Sequence, residues 1–301
     1  MATKATLDIR GTKVDVSNLD KVFYPKTGFT KGDVIDYYIR ISSALLPYLK
    51  NRPLSLKRYP NGVEGFFFYE KRCPPHPKWV KTAKVPRSEG GSIDYCVVNA
   101  LPTLVWAANL ADLELHTFLH KAPTLKRPTA MVFDLDPGAP ADILTCCQVA
   151  LWLKAVFDAF KLKTFVKTSG SKGLQVYVPL NTMVTYTKTK AFSHAVAQLL
   201  ERQAPGKVVS KMQKSLRKGK VLVDWSQNDI HKTTVCVYSL RAKEEPTVST
   251  PVTWKEVENA VKTRKKLNFN SDTVIRRIKK HGDIFDPVLT LKQKLPPLSR
   301  L

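Results

Sequence analysis

The fold is decided by one stretch of the sequence, Ala130-Met131-Val132-Phe133-Asp134-Leu135-Asp136-Pro137-Gly138. An apolar run that stops at Pro-Gly is typical of a buried strand followed by a turn. Because side chains alternate between the two faces of a strand, Asp134 and Asp136 share one face. Two carboxylates on one face repel each other unless a cation lies between them, and Mg2+ and Mn2+ favour such oxygen ligands. For Asp-x-Asp alone, a solvated strand end followed by a turn is the alternative.

The net charge of the chain indicates a polyanionic partner. The 301 residues include 49 lysines and arginines against 25 aspartates and glutamates, a formal net charge of +24. In a folded domain such an excess points first to nucleic acid and less strongly to an anionic membrane surface. The 43% of hydrophobic residues are ordinary for a globular protein of one large domain or two closely packed lobes. No apolar run approaches the length of a bilayer span, so no membrane partner is expected.

The cysteines and the N-terminus predict a cytoplasmic protein. Five cysteines, odd in number and scattered, are typical of a chain kept in a reducing compartment. The first residues lack the apolar core of a secretory signal. Cys73-Pro-Pro-His76 resembles half of a zinc site, but no second cysteine and histidine pair completes it, so zinc is not expected.

Working outward from the central stretch, apolar spacing predicts further elements. A helix capped by Thr30 is predicted from Lys31 to about Lys50, and another over residues 141–160. Pro60-Asn61-Gly62 predicts a hairpin turn, and the proline-rich, basic residues 73–92 predict a surface loop. Further strands are predicted at 113–119, 164–168, 174–180, 221–225 and 233–240.

Several motifs fit one chemistry. Asp224 adds a third carboxylate on a second strand, which is enough to hold two divalent ions for an in-line phosphoryl displacement. The turn Ser169-Gly170-Ser171-Lys172-Gly173 has backbone N–H groups that can cradle phosphate, although it is not a Walker A sequence. His116 and Arg241, at predicted strand ends, can each pair with a triphosphate oxygen. Taken singly, these features are also explained by a turn, a satisfied histidine and a surface arginine; their combination favours phosphoryl transfer.

An aromatic run provides a second type of nucleic-acid signal. Residues Phe66–Tyr69 are framed by the basic residues Lys57, Arg58, Lys71 and Arg72. Rings interleaved with cations suit base stacking beside phosphates, but four core rings would give the same pattern. Both interpretations remain open from the residues alone.

Three motifs resemble those of one family: Val132–Gly138, Thr168–Leu174 and Val223–Asn228. The family is the polymerase (primase-polymerase) domain of bacterial DNA ligase D, within the archaeo-eukaryotic primase superfamily. The likeness extends from Asn18 to about Ile284, nearly the whole chain. One departure is Gln175, where the family often has histidine; glutamine can donate a hydrogen bond but cannot become a cation.

The resemblance implies a fold and a function. The fold is a mixed α/β single domain over residues 1–301, with an N-terminal α/β lobe (about 1–110) and a primase-like catalytic lobe (111–301) built on a largely antiparallel central sheet. The function is template-dependent nucleotidyl transfer that fills gaps and extends 3′ ends during non-homologous end joining, with a preference for ribonucleotides. The cofactor is Mn2+ or Mg2+, two ions per site. The partners are DNA with gaps, overhangs or breaks, NTP or dNTP, Ku and a DNA ligase, on a cytoplasmic nucleoid.

The motifs also imply site residues. The metal and catalytic ligands would be Asp134, Asp136 and Asp224. The incoming nucleotide would be bound by His116, Ser169, Lys172, Gln175 and Arg241. The 5′-phosphate of the downstream strand would be bound by Lys21 and Lys31. Template and other DNA contacts would come from Arg58, Phe68, Tyr69, Lys84, Arg87, Lys214 and Arg217.

Two other functions are compatible with parts of this pattern. A primase that starts chains de novo needs two nucleotides bound together, and the sequence shows no second nucleotide site. A non-catalytic scaffold for DNA ends would use the basic residues alone, and it has no need for three carboxylates on neighbouring strands. The sequence leaves open whether the chain is a stand-alone polymerase or one domain of a longer protein.

Overall fold

The computed structural model describes residues 3–301. Its strands are β1 (Lys4–Ile9), β2 (Thr12–Ser17), β3 (Val22–Tyr24), β4 (Phe29–Thr30), β5 (Pro53–Arg58), β6 (Phe68–Glu70), β7 (Lys81–Pro86), β8 (Ser92–Val97), β9 (Asp112–Phe118), β10 (Ala130–Pro137), β11 (Phe165–Thr168), β12 (Leu174–Pro179), β13 (Val208–Val209), β14 (Val221–Asp224), β15 (Thr233–Val235) and β16 (Pro251–Val252). Its α-helices are α1 (Lys31–Leu49), α2 (Leu101–Asn109), α3 (Ile143–Ala159), α4 (Tyr186–Gln203), α5 (Trp254–Thr263), α6 (Ser271–His281) and α7 (Pro287–Thr290). This composition confirms the predicted mixed α/β fold with largely antiparallel sheets.

The chain divides into two compact units. The first contains the residues up to Pro123, Thr233–Ser249 and Phe269–Gly282. Its main sheet has the strand order β15-β9-β5-β8-β7, with β6 also paired to β5, and every pairing is antiparallel. This division differs from the predicted lobe boundary near residue 110, because β15 pairs with β9 and returns a late part of the chain to the first unit.

Helix α1 forms as its sequence predicts. Thr30 and Asp33 make a capping box, in which each side chain accepts a hydrogen bond from the other residue's backbone N–H. The apolar positions recur every three or four residues and are buried, among them Val34, Ile41 and Leu45. Burial of each such side chain contributes about 1.5–3 kcal/mol. The predicted bounds of Lys31 to about Lys50 are confirmed.

Two predicted segments of the first unit differ in the structure. Residues 73–92 were expected to form a surface loop, but they contain β7, which pairs with β8 along its whole length. In β7 the lysines Lys81 and Lys84 are exposed and Val85 is buried. The charge of the lysines and the prolines nearby make the strand hard to predict from the sequence. Strand β15 ends at Val235 instead of Leu240, because Tyr238 adopts a left-handed backbone conformation with φ of +64°.

The second unit contains Thr124–Lys232, Thr250–Asn268 and Asp283–Leu301. Its sheet has the order β13-β14-β10-β12-β11-β16, antiparallel except between β13 and β14. The central stretch of the sequence forms β10, inside this sheet, and its residues Met131–Phe133 are fully buried. Helices α3 and α4 contact β10, and Asp142 caps α3 through a capping box with Thr145. The predicted buried strand is confirmed.

The cysteines differ from the reduced state that their scatter indicates. Cys73 and Cys96 form a disulfide, whereas Cys146, Cys147 and Cys236 are free and buried. The pairing arises because the Cys73 N–H donates to the carbonyl of Asp94, so this segment runs beside β8. Along residues 3–301, no helix has the length and apolarity needed to cross a membrane.

Candidate functional site

A row of four polar residues crosses the sheet of the second unit. Lys167 lies opposite Gln175, Gln175 opposite Asp134, and Asp134 opposite Asp224, on the neighbouring strands β11, β12, β10 and β14. Residues directly opposite each other in an antiparallel pair share a face of the sheet, so the row lies on one face. Asp136, two residues beyond Asp134, projects from the same face. We call Asp134, Asp136 and Asp224 the acidic centre.

Electrostatic repulsion is strong in the acidic centre. Burial, the charge of Asp136 and, more weakly, that of Asp224 raise the pKa of Asp134 to about 7. A hydrogen bond from Gln175 and the charge of Lys167 act in the opposite direction. One carboxylate oxygen of Asp134, Oδ1, is enclosed and has no hydrogen-bond partner among the described residues. An enclosed oxygen of this kind beside two further carboxylates fits the donor set of a hard divalent cation.

Asp224 is held by the turn that follows β14. Its Oδ1 accepts hydrogen bonds from the N–H of Ser226 at 2.8 Å and from the Ser226 hydroxyl at 2.6 Å. Its Oδ2 accepts one from the Gln227 amide at 3.0 Å, and Lys232 donates to the Ser226 hydroxyl. Within residues 3–301, no three histidine, cysteine, aspartate or glutamate side chains already converge as ligands. The acidic centre therefore contains carboxylate oxygens of the kind that a divalent cation needs, and these side chains would have to move closer together to bind one.

The glycine-rich turn lies against the acidic strand. The Ser169 hydroxyl accepts hydrogen bonds from the N–H groups of Ser171 and Gly173, each at 3.2 Å, which closes the turn. A Cβ atom on Gly173 would lie 1.9 Å from the carbonyl oxygen of Leu135, the residue between the two aspartates of β10. Only glycine allows this approach. Lys172 is exposed beside it, so the turn places a cation and backbone N–H groups next to the acidic centre.

A second close approach joins the turn that follows β10 to a basic loop. A Cβ atom on Gly138 would lie 2.0 Å from the carbonyl oxygen of Arg217, and the Gly138 N–H donates to the carbonyl oxygen of Lys220 at 2.8 Å. The structure thus brings Arg217 to the turn after the acidic strand, with Lys214 exposed on the same short 3-10 helix. The Nε atom of Arg217 is enclosed without a hydrogen-bond partner among the described residues.

In the first unit, one carboxylate organises a group of cations. Glu114 Oε2 lies 3.0 Å from His116 Nε2, 3.2 Å from Lys57 Nζ and 3.3 Å from Arg241 Nε. Burial acts to raise the pKa of Glu114, but the hydrogen bond from His116 and the nearby positive charges outweigh it, and the pKa lies well below its usual range. The pKa of His116 is lowered, chiefly by burial. We call Glu114, His116, Arg241 and Lys57 the Glu114 cluster.

A second group of cations surrounds the start of α1. Lys31 Nζ donates to the carbonyl of Ser17 at 2.6 Å, and Lys21 Nζ donates to the carbonyl of Pro60 at 2.7 Å. Burial and the charges of Lys21 and Arg58 lower the pKa of Lys31 to about 8. We call these residues, Lys21, Lys31 and Arg58, the basic cluster. The cluster combines like charges beside a helix N-terminus, where anions bind well.

The predicted DNA-contact residues lie mainly at the surface. Arg58 pairs with Glu70 at 2.7 Å and lies over the ring of Phe68. Tyr69 is half exposed and packs edge-on against His116. Lys84 is exposed on β7, not in a loop, and Arg87 is exposed in the turn between β7 and β8.

Two residues of these groups, Lys167 and Glu114, were not predicted from the sequence, and Lys57 was predicted only as a flank of the aromatic run. Lys167 is fully buried in the polar row. In the sequence it is a single lysine in a short strand, which gives no signal of a functional site. Glu114 was passed over although strand alternation places Glu114 and His116 on one face of β9, and that spacing was the available signal.

An antiparallel sheet with neighbouring carboxylates beside a glycine-rich turn, in a chain of net charge +24, is typical of proteins that use divalent ions for phosphoryl transfer on nucleic acid. A family model for the primase-polymerase domain of LigD matches residues 30–285. The chain belongs to this family, which confirms the resemblance predicted from the three motifs.

Curated relatives show the same match. The chain is 38% identical over 282 residues to the multifunctional non-homologous end joining protein LigD of Mycolicibacterium smegmatis, covering 93% of the chain and 36% of that protein. It is 35% identical over 272 residues to the bifunctional non-homologous end joining protein LigD of Bacillus subtilis, covering 90% of the chain and 43% of that protein. The chain thus spans less than half the length of these relatives.

A solved structure is also similar. The polymerase domain from Mycobacterium tuberculosis ligase D in complex with DNA superposes with a TM-score of 0.86 at 38% identity, covering 92% of this chain and 98% of that one. The agreement confirms the primase-polymerase fold.

Proposed function

We propose that the chain adds nucleotides to a DNA 3′ end under the direction of a template, filling gaps and extending ends at double-strand breaks in non-homologous end joining. The main support for the proposal is the acidic centre. Asp134 and Asp224 lie opposite each other on neighbouring strands, and the glycine-rich turn Ser169–Gly173 packs against the strand of Asp134. The family and the net charge of +24 support the same function.

Asp134, Asp136 and Asp224 would hold two divalent ions, Mn2+ or Mg2+. The enclosed oxygen of Asp134 and the mutual repulsion of the carboxylates fit such ions. When bound, the ions activate the attacking 3′ hydroxyl and stabilise charge on the leaving pyrophosphate. Gln175 donates a hydrogen bond to Asp134, so we assign it to orienting this carboxylate.

The residues for the incoming nucleotide would be His116, Ser169, Lys172 and Arg241. Lys172 and those N–H groups of its turn that do not donate to Ser169 would bind phosphate, and Ser169 keeps that turn closed. Arg241 would offset negative charge on the triphosphate, and His116 would form a hydrogen bond with it. The positive charges lower the barrier because they stabilise the charge that develops on pyrophosphate as it leaves.

Lys21 and Lys31 would bind the 5′-phosphate at the far side of a gap, and Arg58 would contact the DNA near them. Burial and, after it, the charges of Lys21 and Arg58 lower the pKa of Lys31, and a phosphate dianion would offset both effects. Phe68 and Tyr69 would stack near the template, and Lys84, Arg87, Lys214 and Arg217 would contact DNA phosphates. Ku and a DNA ligase would act with the chain, at the nucleoid in the cytoplasm.

The test is primer extension on a duplex with a short gap and a 5′-phosphate, with Mn2+ or Mg2+, comparing rNTPs with dNTPs. We expect templated addition that requires the metal and favours rNTPs. Addition that ignores the template, or none at all, would refute the proposal. In that case, tight binding dependent on the 5′-phosphate would favour a scaffold, and chain initiation without a primer would favour a primase.

A further inference from the structure

The Glu114 cluster contains more cations than its one carboxylate can neutralise. Three side chains share Glu114 Oε2 at 3.0 to 3.3 Å, and two of them, Lys57 and Arg241, carry a full charge at neutral pH. The Glu114 side chain is 2% exposed, whereas those of Lys57, His116 and Arg241 are 12 to 15% exposed. The carboxylate therefore lies beneath the cations, and the excess positive charge is on the more accessible side.

Glu114 also fixes the backbone that carries Arg241. Its second oxygen, Oε1, accepts a hydrogen bond from the N–H of Ala242 at 3.0 Å and lies 3.5 Å from the Tyr59 hydroxyl. Ala242 directly follows Arg241, so one buried carboxylate forms an ion pair with the guanidinium group and accepts a hydrogen bond from the main chain next to it. Hydrogen bonds to a buried charge are stronger than neutral ones and hold such geometry well.

Lys57 is held in place from another direction. Its Nζ atom lies 4.7 Å from the ring centroid of Phe67, 5.3 Å from that of Tyr59 and 5.5 Å from that of Tyr69. Cations over aromatic faces are attracted by the ring quadrupole, so these rings restrict the ammonium group while Glu114 compensates part of its charge. The sequence analysis gave Lys57 no role beyond flanking the aromatic run.

We infer that Glu114 is a positioning residue and Lys57 a further phosphate-binding residue: Glu114 holds Lys57, His116 and Arg241 side by side so that together they bind the triphosphate of the incoming nucleotide. The inference rests on the proposed function and deepens it. A triphosphate has several negatively charged oxygens, and grouped N–H donors with excess positive charge match this chemistry.

Removal of the Glu114 charge has two effects of opposite sign. The net positive charge of the cluster rises, which by itself strengthens phosphate binding by only a few-fold at partly solvated groups (about 1 kcal/mol at most). The cations also lose their common anchor and repel one another, and truncation of one partner of a buried charge pair weakens binding by roughly 30-fold or more. The second effect is larger, so positioning predicts weaker nucleotide binding.

The experiment uses the whole chain with Glu114→Gln, which keeps the shape of the side chain and removes its charge. KM for GTP and kcat are measured on a one-nucleotide gap opposite template cytosine, and the Kd of the gapped duplex is measured separately. We expect KM to rise at least about tenfold and kcat to fall as well, because the same cations offset charge on the leaving pyrophosphate, while the duplex Kd stays within about twofold. Lys57→Met should also raise KM, and the double variant should show non-additive changes because the two residues are in contact.

Glu244→Gln is the matched control. Glu244 is a carboxylate three residues from Arg241, but its ion pair is with the exposed Lys26 at 2.7 Å. Its loss should leave the KM for GTP unchanged. An unchanged or lowered KM in folded Glu114→Gln would overturn the inference, as would an equal loss of duplex and nucleotide binding, which indicates general structural damage.

Two further outcomes separate the inference from the proposed function. If Glu114→Gln does not fold, as judged by its thermal unfolding, Lys57→Met decides alone, and an unchanged KM in that variant refutes the inference. If the wild-type chain adds no nucleotide, the proposed function itself fails. If the wild type is active and both variants keep its KM, only the inference fails.

Discussion

Asp134 and Glu114 both lie on inner strands of antiparallel sheets, one in each unit, but their surroundings differ in the sign of charge. Asp134 faces two other carboxylates, and its pKa is raised to about 7. Glu114 faces Lys57, His116 and Arg241, and its pKa lies well below the usual range despite its burial. The fold already compensates Glu114 but leaves Asp134 among like charges. The difference indicates that Asp134 is placed for a ligand of opposite sign, whereas Glu114 is placed to hold its neighbours.

Lys31 extends the comparison to a cation. Burial, Lys21 and Arg58 lower its pKa to about 8, so it is a positive charge among positive charges. By the same argument, the basic cluster is placed to bind an anion, and the acidic centre is placed to bind a cation. Each of these three environments can be changed separately, and the expected effects differ in size and in sign.

Loss of the Asp134 carboxylate should have the largest effect. Asp134→Ala removes a ligand from the acidic centre, and we expect nucleotide addition to fall by roughly a thousandfold or more, because bound ions supply several kcal/mol of stabilisation to the transition state. Single-turnover primer extension measures the loss. Binding of the gapped duplex should remain within about twofold, because the basic residues are untouched. Retained polymerase activity would show that the acidic centre is not the catalytic site.

Substitutions of the two carboxylates should change stability in opposite directions without metal. The folded pKa of Asp134 is raised from 3.8 to about 7, so its contribution to stability is present below pH 4 and is lost as the pH rises through 7. The folded pKa of Glu114 is lowered from 4.5, so its contribution is present at higher pH and is lost only in acid. At pH 8, Asp134→Asn should therefore stabilise the chain and Glu114→Gln should destabilise it, each by roughly 1–3 kcal/mol.

Thermal unfolding at pH 5 and pH 8 with a chelator tests this contrast. The stabilising effect of Asp134→Asn should shrink at pH 5, where the wild-type carboxyl is protonated. Glu114→Gln should remain destabilising at both values. Changes of the same sign in the two variants at pH 8 would break the comparison.

Substitution of the basic cluster should have an intermediate effect. Lys21→Ala combined with Lys31→Ala should weaken binding of a gapped duplex with a 5′-phosphate by about tenfold, and that of the 5′-hydroxyl duplex much less, because the lost contacts are specific to the phosphate. Fluorescence anisotropy measures both affinities. Lys262→Ala with Lys265→Ala removes the same charge from exposed positions of the second unit and should weaken both duplexes equally. If the Lys21 and Lys31 variant lost affinity equally for both duplexes, the proposal that these lysines bind the 5′-phosphate would be refuted.

The smallest expected effect is a pH dependence. Because the pKa of Lys31 is about 8, this side chain loses its charge between pH 7 and pH 9, and the preference for the 5′-phosphate should fall by about threefold over that range. Lys31→Arg keeps its charge throughout and should flatten the profile. A wild-type preference that stays constant up to pH 9 would show that Lys31 does not bind the phosphate.

The sequence predicts those parts of the site that depend on local geometry. Alternation along one strand was enough to place Asp134 and Asp136 on one face, and the capping box was enough to start α1 at Lys31. The family motifs added Asp224 and Lys172. The division of roles among these residues stays a prediction.

The remaining features depend on pairing between distant segments. The row from Lys167 to Asp224 requires the register of four strands, and no local pattern shows which residues will be opposite each other. The Glu114 cluster combines side chains from β5, β9 and the segment after β15. Strand β7 was missed because its lysines and the neighbouring prolines resemble a loop, and the pairing of Cys73 with Cys96 depends on a main-chain hydrogen bond from Cys73 to Asp94 of β8.

The return of the chain to the first unit has a consequence for synthesis and folding. His116 of β9 pairs with Val235 of β15. During synthesis, β9 therefore lacks β15 as its neighbour until the whole polar row from Lys167 to Asp224 has been made. Pairing across such a distance closes a long loop and slows folding. Until then β9 presents an open strand edge, which favours association with other chains. A fragment that ends near residue 232 would keep every carboxylate of the acidic centre and still be prone to aggregation, because it lacks the strand that covers β9.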